Sequence, residues 1–98
     1  MSKRIKYPSI PSHVRVTAKR TYEVVHIEEF KGQFLGECRF DPPQIVLKKG
    51  QTPKEEFSTF IHELCHAISE EYKVGLTEKQ VLALEKGLLN FLKLNGHI

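Results

Sequence analysis

A chain of 98 residues is long enough for one domain, and the core it can bury is small, so an ion tying two elements together would add usefully to stability. Lys and Arg exceed Asp and Glu by 15 − 12 = +3, a mild excess within an ordinary soluble composition. No apolar run approaches membrane-spanning length, the basic N-terminus leads into no apolar signal segment, and Cys38 and Cys65 make no disulfide framework, so a cytoplasmic protein with reduced thiols is expected.

Residues 1–13 read as a flexible N-terminal arm, because Pro8 and Pro11 block both helix and ladder. With only Lys3, Arg4 and Lys6 and no aromatic stacking pattern, a solvated terminus is preferred to a nucleic-acid-binding tail. Residues 14–98 read as a single domain. Val14–Thr17 is a short strand, and Tyr22–Phe30 a stronger one rich in β-branched and aromatic residues. A hairpin turn is expected around Gly32. Phe34–Asp41 alternates, with Phe34, Gly36, Cys38 and Phe40 on one face, as in a half-buried strand and a candidate sheet edge. Asp41–Gln44 turns the chain into the strand Ile45–Lys48, and the pattern predicts an antiparallel meander. His26 reads as a strand histidine on the surface, Cys38 as a packing residue, and His13 and His97 carry no assigned role.

Thr52-Pro53-Lys54-Glu55 is a helix start with a capping box, and Gly75 a natural stop beyond Tyr72 or Lys73. Inside this helix stands His62-Glu63-Leu64-Cys65-His66, an H-E-x-x-H motif. At about 100° per residue, with His62 at zero, His66 falls near +40° and Glu63 near +100°, while Phe57, Phe60, Ile61, Leu64 and Ile68 gather on the other side. Two imidazoles one turn apart can share a metal ion, and the adjoining glutamate is placed to act as a general base. Cys65 lies off this face.

A catalytic zinc takes three protein ligands, and no histidine lies between His66 and His97, so the third is expected to be a carboxylate. A second helix begins after the N-cap Thr77 and runs to about Leu94. Glu85 falls inside its apolar stripe, which is costly unless a cation lies opposite. In an antiparallel helix pair His66 is roughly 9 Å from the first helix's end, Glu85 roughly 12 Å into the second and Glu78 roughly 1.5 Å, so Glu85 is preferred to Glu78 as the third ligand.

The helix bearing His62 to His66, followed by a helix bearing Glu85, resembles the gluzincin class of zinc metallopeptidases. The wider stretch of about residues 13–96, with Leu35-Gly-Glu-Cys-Arg-Phe-Asp41 and Thr59-Phe-Ile-His-Glu-Leu64, resembles small uncharacterised phage and bacterial H-E-x-x-H proteins. This resemblance implies a minimal zincin: an α+β fold, a small antiparallel sheet packed on an active-site helix and a glutamate helix. It implies Zn²⁺ on His62, His66 and Glu85, Glu63 as general base, and a peptide or protein substrate. The larger gluzincins carry an extra transition-state residue in a subdomain with no counterpart here; Tyr22 and Tyr72 are the tyrosines weighed for that role. Two other readings stand beside the peptidase: a zincin-fold binding module with a structural metal, and a nucleic-acid-associated peptidase using the basic arm with Arg15, Lys19 and Arg20. No membrane partner is expected, and the oligomeric state is left open.

Overall fold

A computed structural model describes residues 6–30 and 34–98; the turn expected around Gly32 lies outside them. Four strands are followed by two helices: β1 (His13–Thr17), β2 (Arg20–Ile27), β3 (Gly36–Phe40), β4 (Pro43–Lys48), α1 (Pro53–Glu71) and α2 (Glu78–Leu94). The α+β class is as expected. The strand order is not that of an antiparallel meander. One mixed sheet runs β1-β2-β4-β3, in which β1–β2 and β3–β4 are antiparallel and β2–β4 are parallel, with Val24 opposite Ile45 and His26 opposite Leu47.

Polarity explains the order. Ile45, Val46 and Leu47 of β4 are all 0% exposed, and a strand apolar on both faces belongs at the centre of a sheet. β3 carries Glu37 and Arg39 on its outer face, and charged side chains suit an edge. β4 therefore lies between β2 and β3, although β3 precedes it in the chain. The alternation read in β3 holds: Gly36 and Cys38 sit opposite Leu47 and Ile45, the β4 residues that face α1.

α1 lies on one face of this sheet, against β1, β3 and β4. Tyr22, Val24, Ile45 and Leu47 from the sheet meet Phe60 and Ala67 from the helix. The capping box forms, with Thr52 Oγ1 accepting from Glu55 N (3.2 Å) and Thr52 N donating to Glu55 Oε1 (3.0 Å). At the other end Glu71 occupies a helix C-terminus, where a negative charge is unfavourable. Two donors offset this: Tyr22 Oη donates to Glu71 (2.6 Å) and Arg20 Nε pairs with it (3.3 Å). The tyrosine hydrogen bond, with Arg20, holds the Glu71 carboxyl below its usual range. Arg20 also donates to Phe40 O (2.8 Å), so this knot ties α1 to β2 and to the edge strand.

In the arm read as flexible, Pro8, Ser9, Pro11 and Ser12 are exposed, and three contacts reach the rest of the fold. Tyr7 meets the Phe57 ring at 5.9 Å, Ile10 packs against the core, and Ser12 O accepts from Val24 N at 2.8 Å. Among the described elements α2 contacts α1 and none of the strands, and Val81 is its fully buried residue. Among the described residues no helix is long and apolar enough to cross a membrane.

Candidate metal centre

α1 presents His62 and His66 on one face, their ring centroids 5.0 Å apart. The side chain that meets both is Glu78, the first residue of α2. Its Oε1 lies 2.7 Å from His62 Nε2 and its Oε2 2.9 Å from His66 Nε2. Glu85 has a different place. Its Oε1 lies 2.8 Å from His62 Nδ1, on the far side of the ring, and its Oε2 accepts from Ser58 Oγ at 2.7 Å. A carboxylate on Nδ1 fixes the ring and leaves Nε2 to bind an ion.

The geometry favours Glu78 over the expected Glu85 as the third member of the group: Glu78 meets the two Nε2 atoms, while Glu85 meets His62 Nδ1. The reason is the connection between the helices. It folds back on α1, with Val74 N bonded to Ser69 O (2.9 Å) and Leu76 N to Ser69 Oγ (2.8 Å). α2 thus starts level with His66, not with the end of α1. Lys73 (φ 55°) and Gly75 (φ 72°) supply the left-handed backbone this requires. Thr77 then caps α2 in a box with Gln80, which holds Glu78 at the first turn.

Glu63 is 7% exposed, wedged between α1 and β3. Burial pushes its carboxyl up to about 7; the His62 ring opposes the shift, and Glu78, Glu37 and Glu85 add to it. It bonds to no other described residue, yet no buried side-chain polar atom among them lacks a partner, so its carboxyl opens onto the groove. Gly36 makes this packing possible. A Cβ there would lie 2.5 Å from Thr59 Cγ2, 3.2 Å from Glu63 Cγ and 3.2 Å from Val46 O. Sequence reading placed Gly36 on the correct face and missed its role; a glycine inside a strand, marking close backbone approach, was the available signal.

A groove of about 980 Å³ runs over this centre between α1, α2 and the edge strand, lined by His62, Glu63, His66 and Glu78, by Cys38 and Phe40 of β3, and by Phe34 ahead of that strand. Behind His62 a smaller hollow of about 330 Å³ is walled by Ser58 and Glu85. Burial pushes the Cys38 thiol up to about 12 and raises Cys65 as well, so neither offers a thiolate at neutral pH. Neither tyrosine weighed for a catalytic role reaches the groove. Tyr22 is held by Glu71, and Tyr72 Oη lies 3.5 Å from Val16 O. His26 pairs with Glu56 (3.6 Å), away from the centre, as expected of a surface histidine.

The donor set can be tested against a metal. Among the described residues, one ligand atom each from His62, His66 and Glu78 lies within 4.8 Å of the others. Two imidazole nitrogens and a carboxylate oxygen are the donors of catalytic zinc sites such as those of the His₂Glu type. Tetrahedral bonds of about 2.05 Å set ligand atoms roughly 3.3 Å apart; the two carboxylate–imidazole contacts, 2.7 and 2.9 Å, are a little shorter than this, and all three ligand atoms lie within 4.8 Å of one another. The group fits. Searches against models of known protein families, curated proteins and solved structures find no match for this chain.

Proposed function

We propose that this protein is a zinc-dependent peptidase of minimal zincin type, with His62, His66 and Glu78 as the metal ligands and Glu63 as the general base. The observation that carries the reading is the paired geometry at His62. Glu78 meets its Nε2 at 2.7 Å while Glu85 holds its Nδ1 at 2.8 Å, so the ring is locked with one nitrogen turned to a shared site. A zinc ion bound there would supply a Lewis acid that polarises a carbonyl and acidifies water.

The chain's own residues supply the rest. Glu63, next to His62 on α1 with its carboxyl open to the groove, is placed to take a proton and return it to a leaving amine. Ser58 and Glu85 keep His62 from rotating. β3 is an edge strand beside the groove, and its free backbone groups can pair with an extended peptide lying across the site.

One observation favours the second reading, a zincin-fold binding module with a structural metal. Tyr22 and Tyr72 are engaged elsewhere, so neither is available to stabilise a transition state. The nucleic-acid reading loses Arg20, which pairs with Glu71 and donates to Phe40 O.

The test is cleavage of a broad peptide library by zinc-loaded wild type and by Glu63→Gln. The peptidase reading expects wild-type cleavage and a loss on the order of 100-fold or more in the variant, since removing a general base costs that much. Equal behaviour of the two, with zinc bound in both, turns the reading to the binding module.

A further inference from the structure

The smaller hollow opens off the groove beside the candidate metal centre, since the two cavities share Phe34, Gly36, His62 and Glu63. Its lining combines two chemistries. Phe34 (67% exposed) and Leu35 (44%) supply apolar surface, and Glu55, Glu63 and Glu85 supply three carboxyl groups. Lys and Arg outnumber Asp and Glu 15 to 12 in the chain, yet among the described residues no Lys or Arg lines this hollow.

No cation of the fold cancels these carboxylates. Among the described residues none of the three pairs with a Lys or an Arg. Glu85 meets the His62 ring through Oε1 and accepts from the Ser58 hydroxyl through Oε2. Glu55 Oε1 accepts from Thr52 N, a bond that holds its carboxyl below the usual range. Glu63 is 7% exposed and bonds to no other described residue, so a buried carboxyl without a partner faces the hollow. An apolar occupant would strip water from these groups and return no hydrogen bond, and an acidic one would be repelled. A long basic side chain suits both chemistries: its stem covers Phe34 and Leu35 while its head donates to the carboxylates.

We infer that this hollow selects the substrate by taking a lysine or arginine side chain from a residue next to the bond that is cut, so that the substrates are basic peptides. This selection rests on the peptidase reading of the groove. Its position follows from His62 and Glu63, which line the hollow and also belong to the metal centre. A volume of about 330 Å³ stands at the small end of ligand pockets, which span about 300–1,000 Å³, and has room for one long side chain with water. Backbone pairing along β3 carries no preference for charge, so the preference comes from the hollow. Glu55 is its most accessible determinant, because it belongs neither to the metal group nor to the support of His62.

Acetylated and amidated peptides that differ at one central residue (lysine, arginine, norleucine or glutamate) in an otherwise uncharged sequence test it on the zinc-loaded full chain. Cleavage is followed by mass spectrometry and binding by calorimetry in the cold. The lysine and arginine peptides are expected to be cut at a bond flanking that residue, with kcat/KM at least ~10-fold above the norleucine peptide, and to bind at least ~10-fold more tightly. The glutamate peptide is expected to do neither. Glu55→Gln keeps the capping box, which glutamine also closes, and is expected to lower the preference for lysine over norleucine by about 3–10-fold. Glu56→Gln removes the same charge from a side chain that pairs with His26 and does not line the hollow, and is expected to leave the preference unchanged. Equal affinity for the four peptides, binding of none of them, tighter binding of the norleucine peptide, or an unchanged preference in Glu55→Gln overturns the inference; where cleavage persists, the peptidase reading stands without it. Lysine-selective binding with no peptide cut gives the reverse: the pocket stands and the peptidase reading fails.

Discussion

Glu63 has the most to reveal at the scale of one residue, because its surroundings disfavour its charge. Its folded carboxyl sits at about 7 against an ordinary 4.5. The sign follows from linkage: a raised carboxyl helps the fold while protonated, so that contribution is complete below about 4.5 and lost as pH rises through about 7. Metal-free wild type therefore carries a penalty at pH 8 that Glu63→Gln lacks. The variant is expected to be more stable at pH 8 by on the order of 3 kcal/mol, and no more stable at pH 4. Urea unfolding at the two pH values measures this, and an equal difference at both would contradict it. Gly36 gives a second prediction. A methyl there presses on Thr59 Cγ2 and on the Val46 carbonyl, so Gly36→Ala is expected to cost about 1–3 kcal/mol. Thr59→Ser removes the nearest clashing atom, and the double variant is expected to recover part of the loss; full additivity would show that the two do not touch. His62, Glu63 and His66 were legible in the sequence because helix geometry relates them locally. Gly36 was not, since what it approaches is 23 residues away in Thr59.

Between elements, local chemistry was legible and mutual placement was not. Thr52 and Thr77 announced both helix starts, and the period-2 pattern of β3 named the face that meets α1. The choice between Glu78 and Glu85 rested on where α2 begins along α1, which is decided by Ser69 gathering the connection through Val74 and Leu76. A serine in the last turn of a helix gives no such notice. Strand order was hidden for a similar reason: pairing β2 with β4 joins residues about 21 apart, and only the all-apolar run Ile45–Leu47 hinted at a central strand. The Arg20–Tyr22–Glu71 knot holds α1 in register with that sheet. Tyr22→Phe removes the 2.6 Å hydrogen bond to a carboxylate and is expected to cost about 1–3 kcal/mol in thermal or urea unfolding. A neutral result would mean that Arg20 alone secures Glu71.

The whole molecule has one small core between α1 and the sheet, and α2 is fastened to it mainly through Val81 and the His62–Glu78–Glu85 cluster. A metal that bridges α1 and α2 therefore stabilises the attachment the apolar core supports least. Zinc present at about 100 times its dissociation constant is expected to add about 2.7 kcal/mol to unfolding, and a chelator to remove it. Under the proposed function, zinc is held by Glu78 with the two histidines, and Glu85 acts behind them. A competition titration of zinc against a chelator, on wild type, Glu78→Gln and Glu85→Gln, tests it most directly. One zinc per chain is expected in wild type, with affinity lowered on the order of 1,000-fold by Glu78→Gln and about 10–100-fold by Glu85→Gln. Wild type without stoichiometric zinc, or a Glu78→Gln variant that keeps its zinc while Glu85→Gln loses it, would contradict the account.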